Sequence, residues 1–322
     1  MEQKAKKTVK YILSLLLAAV FIWLAFRKVD WAAFLAGLKE TRWIWIPAFF
    51  AASTGALIFR ALRWKMLLRP LDGGTRVLTV WDANNVGNLA NVVLPGSGEF
   101  VRCGYVSRKA GYDAVLGTAV VERACDLAAI ALLFILALIL DGARFGAFFK
   151  DSILTPASGR LALWWVAALA VIVIAGMVLA IFRFRGRSAI CDKAAAFLEG
   201  LWKGIGSISR MNHKCGFILY TICIWLMYVL MSWCIIKAIP ALDGLGLADA
   251  LFISAVGNIA SVIPVPGGIG AYHYLVALTL SSLYGSSWDI GILFATLNHE
   301  LHLLLVIVLG AISYFCLTLR KE

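Results

Sequence analysis

The chain has 322 residues, 62% of them hydrophobic and only 15% charged, with a mean hydropathy of +0.87. Soluble domains run nearer a quarter charged and half apolar, so a soluble enzyme is excluded and the apolar excess is expected to face lipid. The 30 Lys and Arg outnumber 18 Asp and Glu for a net charge of +12, yet they cluster between apolar runs, as the positive-inside rule describes, so no nucleic-acid partner is expected.

In chain order, Lys4, Lys6, Lys7 and Lys10 precede an apolar run that ends at Phe26, Arg27 and Lys28 with no small-residue cleavage site. A retained first span over 9–26 is expected rather than a cleaved signal peptide. Segment 27–42, which contains VDWAAFLAGLKE, reads as a short helix on the membrane surface. Further spans are expected at 43–62, 113–140, 161–182, 215–238 and 290–318, each near the ~20 apolar residues that a hydrocarbon core requires. Two other apolar stretches, 77–107 and 250–281, are broken by Leu94-Pro95-Gly96-Ser97-Gly98 and by Ile263-Pro264-Val265-Pro266-Gly267-Gly268-Ile269-Gly270. Both read as re-entrant helical hairpins, since irregular backbone survives at membrane depth only where protein or a wet cavity satisfies it.

Segment 141–160 reads as an extracytoplasmic loop. Segment 183–214 reads as a cytoplasmic one, in which Ile190, Phe197, Leu198, Leu201, Trp202, Ile205 and Ile208 recur at the spacing of an amphipathic surface helix. With the N-terminus inside, inner segments 1–10, 63–76, 108–109, 183–214 and 320–321 hold 19 Lys and Arg, against 7 in the outer segments. Both termini are therefore expected to be cytoplasmic. The seven cysteines form no C-x-x-C pair and read as small reduced hydrophobes.

The chain also repeats itself. Residues 86–93 read VGNLANVV and 256–263 read VGNIASVI, and each copy runs into a Pro-Gly break. The next span then places Thr118 four residues before Glu122 in one half and Thr296 four before Glu300 in the other. Three full spans separate the hairpins, an odd number, so the halves are inverted. The expected fold is an all-α integral membrane protein of six full spans and two re-entrant hairpins. Residues 1–140 form one repeat half and 161–322 the other, an architecture of secondary transporters.

Ionisable groups inside spans mark function, because each costs ~2.5–3.5 kcal/mol at the bilayer centre unless it faces protein or water. Glu122, Arg123 and Asp126 meet that description, with Glu122, Asp126 and Thr118 on one helical face. The first hairpin adds Asn84, Asn85, Asn88, Asn91, Glu99 and Arg102, suited to hydrogen-bonding unwound backbone or a polar headgroup, with the new helix N-terminus favouring an anion. A structural turn with a local salt bridge is the plainer account. The second half offers Asn258, Ser261, His273, Asn298, His299, Glu300 and His302. His299, Glu300 and His302 could couple protons or simply bond helices together; their spacing is not H-E-x-x-H, so no metal site is expected.

The run Asn88, Leu94-Pro95, Gly98-Glu99, Arg102, Gly117-Thr118, Glu122-Arg123 and Asp126, with the later Pro264-Val265-Pro266-Gly267-Gly268-Ile269-Gly270, resembles the flippase-like family. This is the transmembrane module of bacterial lysylphosphatidylglycerol synthases, also called multiple peptide resistance factors. The resemblance, over roughly residues 10–318, implies a multi-pass bacterial inner-membrane protein related to modules that move aminoacylated phospholipids, or in other relatives polyprenyl-linked glycolipids, between leaflets. Two departures change charge at the implied cavity. Gly96-Ser97 stands where the family often has an Arg, and Tyr272-His273 follows the second glycine motif where an acidic residue is common. The synthases' aminoacyl-transferase domain is missing, so no lipid synthesis is expected.

The reading is a lipid flippase or transporter without catalytic residues, metal or other cofactor, acting on a membrane phospholipid or lipid-linked substrate. A membrane-embedded enzyme or an accessory subunit handling such a substrate is the alternative, and self-association into a homo-oligomer is left open. Substrate contacts are expected from Asn88, Glu99, Arg102, Glu122, Arg123, Asp126, Asn258, His273 and Glu300.

Overall fold

The computed structural model describes residues 15–107, 111–140, 213–260 and 265–319, with isolated positions elsewhere. The expected span 161–182, the loop 141–160, the amphipathic segment 188–208, Ser261 and both termini lie outside the described residues. Among the described residues helix is the only regular secondary structure. Their helices are α1 (Leu15–Phe26), α2 (Trp31–Glu40), α3 (Ile46–Leu68), α4 (Val77–Val93), α5 (Ser97–Val106), α6 (Tyr112–Leu140), α7 (Lys214–Ala238), α8 (Leu247–Ile259), α9 (Ala271–Tyr284) and α10 (Trp288–Leu319).

Four of them are long and apolar enough to cross a membrane: α3 with the 3₁₀ turn before it (Trp43–Leu68), α6, α7 and α10. At 25 residues or more and ~1.5 Å per residue, each exceeds a ~30 Å hydrocarbon core. Their outer faces stay apolar and uncovered, with Leu132, Ile139, Ile218, Leu219, Phe315 and Leu319 all exposed. In water such a surface would drive aggregation; in a bilayer it meets acyl chains. The chain is a multi-pass membrane protein.

One boundary differs from expectation. The second span does not stop at residue 62 but continues to Leu68, because Trp64, Leu67 and Leu68 are all fully buried. Arg63, counted above among the basic residues of an inner loop, is a buried residue of that helix with no exposed surface.

The Pro-Gly breaks separate pairs of short helices. α4 stops before Pro95, which has no N–H to continue the ladder, and Gly96 turns the chain at φ +77° into α5. Ser97 Oγ donates to the Ala90 carbonyl at 3.0 Å and Asn91 Oδ1 accepts from the Gly98 N–H at 2.7 Å, closing the turn. α8 and α9 are separated by a turn in which Gly267, Gly268 and Gly270 all have positive φ. None of α4, α5, α8 or α9 exceeds 17 residues, too few to span alone.

Packing relations recur along the chain. α3 lies against α7 at the centre. α3 also packs on α4 as α7 does on α8, α5 on α6 as α9 on α10, and α4 on α10 as α8 on α6. Small residues let these backbones approach. A Cβ on Gly310 of α10 would come within 2.7 Å of Leu89 and 3.0 Å of the Asn85 carbonyl on α4, and one on Gly291 within 2.8 Å of Ala277 on α9. The main core gathers Phe49, Ile235, Ile253, Leu280 and Phe294 from α3, α7, α8, α9 and α10. Outside the spans, Arg42 clasps Asp243 through two hydrogen bonds of 2.7 and 2.8 Å, which hold the Asp243 carboxyl below its ordinary range.

The tightest approach is between α4 and α5. A Cβ on Gly98 would overlap the Gly87 carbonyl oxygen and reach within 2.5 Å of Asn91 Nδ2, whereas one on Gly104, later in α5, meets nothing within 4 Å. Gly98→Ala is therefore expected to destabilise the protein by about 1–3 kcal/mol. Gly104→Ala is expected to leave its thermal unfolding midpoint in detergent unchanged or slightly raised.

Candidate functional site

A buried ionic network joins four helices. α3 contributes Arg60 and Arg63, one turn apart on a single face; α5 contributes Glu99 and Arg102; α6 contributes Glu122, Arg123 and Asp126. Arg63 Nη2 reaches Asp126 Oδ1 at 2.8 Å and Glu122 Oε1 at 3.3 Å, and Arg60 Nη2 reaches Asp126 Oδ2 at 2.9 Å. Arg102 bridges Glu99 (Nε to Oε2, 2.6 Å) and Glu122 (Nη1 to Oε2, 2.7 Å). Arg123 pairs with Glu99 and lies 3.8 Å from Asp126. The fourth helix is α4, where Asn84 Oδ1 accepts from Arg102 Nη1 at 2.8 Å.

The surroundings fix the guanidinium groups in place. The Arg102 guanidinium stacks over the Trp64 ring at 4.3 Å, and the indole N–H donates to Thr118 Oγ1 at 2.9 Å. Arg63 lies over the Phe217 ring of α7, and Arg60 donates to the Tyr228 hydroxyl at 3.0 Å. Two donors in the network remain without a partner although buried, Arg63 Nη1 and Asn84 Nδ2. Beside the network is a recess lined by Leu57, Arg60, Asn84, Gly87, Asn88, Asn91, Gly98, Glu99, Arg102 and Arg123. It has room for about one water molecule.

The charges do not cancel. Among the described ion pairs, four guanidinium groups, ionised at any physiological pH, contact three carboxylates, an excess of one positive charge. At membrane depth such an excess is costly by itself and favours an anion.

Glu99, Arg102, Glu122, Arg123 and Asp126 thus come together, with Asn88 on the recess wall. Sequence reasoning missed Arg60, which lies inside the expected span 43–62, and Arg63, counted among the charges of the inner segment 63–76. Their spacing of three, beside Trp64, was the available signal. The four asparagines have separate roles: Asn84 holds Arg102, Asn85 donates to Ser313 of α10 at 3.1 Å, Asn91 caps α5, and Asn88 faces the recess.

The second-half candidates form a different cluster. His273 of α9 lies beside His299 and Glu300 of α10, with Glu300 Oε1 2.9 Å from His299 Nδ1 and 3.6 Å from His273 Nε2. Glu300 meets α9 as Glu122 meets α5. His302 does not join the other three, because its Nδ1 is 2.6 Å from Ser53 Oγ on α3. Asn298 bonds Ser232 of α7, and Asn258 donates to the Ser254 carbonyl within its own helix.

A family model for the lysylphosphatidylglycerol synthase transmembrane region matches residues 11–310. No curated protein and no solved structure gives a significant match.

The network predicts a division between its arginines. Arg63 is fully buried between two carboxylates, so Arg63→Ala is expected to cost about 3 kcal/mol or more in unfolding free energy. Arg123 has a side chain 46% exposed, and Arg102 still neutralises Glu99 without it, so Arg123→Ala is expected to cost below about 1 kcal/mol. Denaturant unfolding of the two variants in detergent checks the order.

Proposed function

The chain belongs to the lysylphosphatidylglycerol synthase transmembrane-region family, and from that premise we propose that it is a lipid transporter of the flippase type. Its substrate is a phospholipid or lipid-linked molecule with a phosphate in the headgroup. The reading rests on one observation: Arg60, Arg102 and Arg123, against the single carboxylate of Glu99, line a recess beside the broken pair α4–α5, as part of the larger ionic network. Guanidinium forks match phosphate oxygens bidentately, and the spare Nδ2 donor of Asn84 on the recess wall suits the same oxygens. Glu99, between Arg102 and Arg123, supplies the opposite sign that an amino group on the headgroup would contact.

The mechanism is an exchange of partners. Without lipid, Glu99 occupies Arg102 and Arg123, and the recess holds little more than water. An arriving phosphate competes with the carboxylate for both guanidinium groups, and the recess widens as α5 moves away from α6. Acyl chains stay in the bilayer throughout. The displaced Glu99 carboxylate keeps a partner where the headgroup carries an amino group, so no buried charge is left unpaired in that complex.

The broken pairs α4–α5 and α8–α9 are read as re-entrant hairpins of two inverted halves, in a bacterial inner membrane with both termini cytoplasmic. The recurring packing relations support this reading, as does the matching position of Glu122 on α5 and Glu300 on α9. Alternating access follows when the halves rock about the α3–α7 contact. The chain moves its lipid without altering it chemically.

Reconstitution into liposomes tests this, with fluorescent phosphatidylglycerol in both leaflets and dithionite added outside. The intact chain is expected to expose the inner-leaflet pool and to leave the lipid unchanged by mass spectrometry. Arg123→Ala and Glu122→Gln are expected to slow that exposure by about tenfold or more, the loss of roughly 1.4 kcal/mol or more of interaction at the rate-limiting step. Variants that are folded and expose the lipid at the unaltered rate would overturn the reading.

A further inference from the structure

The cluster of His273, His299 and Glu300 has a feature that neither helix packing nor the phosphate site explains. His299 Nε2 lies 2.9 Å from the Gly267 carbonyl oxygen. A carbonyl only accepts, so Nε2 carries the proton, and Nδ1 of the neutral ring presents a lone pair. That lone pair faces Glu300 Oε1 at 2.9 Å, and His273 Nε2 approaches the same oxygen at 3.6 Å. Three potential ligand atoms therefore converge, all within 4.8 Å of one another. With both imidazoles presenting lone pairs to the carboxylate, the three atoms repel one another, and a cation among them removes that repulsion.

We propose that His273 Nε2, His299 Nδ1 and Glu300 Oε1 bind a divalent transition-metal ion of the zinc class. Two ligands at ~2.1 Å from a tetrahedral ion lie ~3.4 Å apart, a value that the 2.9 and 3.6 Å separations bracket. Two imidazoles and a carboxylate suit zinc or cobalt rather than magnesium or calcium, which take oxygen ligands. A single shared proton would satisfy His299 and Glu300 but leave His273 with no part in the site.

An outer-shell acceptor is present for His299, whereas the buried Nδ1 of His273 has no hydrogen-bond partner among the described residues. The Gly267 carbonyl fixes the tautomer and orientation of His299, as outer-shell acceptors do for ligating histidines. Gly267 can present it because its φ is +61°, a conformation open to glycine. His273 is 1% exposed and lies beside the ring of Phe26, and Tyr272 packs at 5.0 Å from His299, so two of the ligands sit in an aromatic shell. Glu300, by contrast, has a side chain 39% exposed, which leaves a side open for a fourth ligand. The spacing His299-Glu300-x-His302 gives no H-E-x-x-H motif, because the further histidine comes from α9 and His302 faces Ser53 instead.

Cobalt(II) titration of the purified, tag-free full chain in detergent after chelator treatment tests the proposal. One equivalent is expected to bind with visible d–d absorption, and zinc is expected to displace it and raise the thermal midpoint. His273→Gln and Glu300→Gln should each weaken cobalt binding by about tenfold or more, while His302→Gln leaves it unchanged. X-ray absorption of the zinc-loaded wild type, which depends on no variant folding, should show only nitrogen and oxygen neighbours including imidazole. Absence of stoichiometric binding, binding that survives both ligand substitutions, or sulfur neighbours from the free cysteines would each overturn it.

Discussion

The placement of Arg63 governs the structure's polar interior. A guanidinium with no exposed surface, in the last two turns of a helix long enough to cross a bilayer, must be neutralised by neighbours rather than by water. Glu122 and Asp126, one turn apart on α6, do this together and so dock α6 against α3 at one rotation. Each carboxylate then has oxygen left over, which draws in Arg102 from α5 and Arg60 from α3. Glu99 is held in turn by Arg102 and Arg123. Once the first guanidinium is buried, the other charges have few alternative arrangements. Among the described ion pairs the sum is still positive, and the proposed lipid site rests on that excess.

Close backbone packing makes this geometry possible. α5 can bring Arg102 beneath α4 only because Gly87 and Gly98 have no side chains at their contact. The same short helix begins at a left-handed Gly96 after a proline, so the polar end of α5 and the recess are created by a single break in the chain. The second break is built from different residues and serves a related end, since it aims the Gly267 carbonyl at His299. The first half thus surrounds its break with guanidinium and carboxylate, and the second with imidazole and carboxylate.

Much of this was legible in the sequence, and the parts that were not share a cause. Apolar runs marked α3, α6, α7 and α10 because burial in lipid demands them residue by residue. Pro95 and Gly96, and Pro266 through Gly270, marked the breaks because their backbone preferences are local. Glu99, Arg102, Glu122, Arg123 and Asp126 stood out because a charge inside an apolar run needs a reason. Arg63 did not, since just past the edge of a run an arginine looks like a loop residue, and only the burial of Trp64, Leu67 and Leu68 beyond it shows that the helix continues; Arg60, inside the expected span but near its end, looks like a side chain that reaches for water. His302 was grouped with His299 by proximity along the helix, whereas tertiary packing turns it to Ser53. The pairing of His273 with His299 depends on how α9 lies on α10, which no local pattern encodes.

The central claim is that the excess positive charge beside α4, α5 and α6 is matched by a lipid phosphate. Native mass spectrometry of the purified protein, titrated with phosphatidylglycerol and with a diacylglycerol of identical acyl chains, isolates the headgroup as the only variable. The account predicts that one phosphatidylglycerol is retained at collision energies that strip the diacylglycerol, and that Arg102→Ala abolishes the difference. Equal retention of both lipids by the unaltered chain would contradict it, and would reduce the network to a structural role.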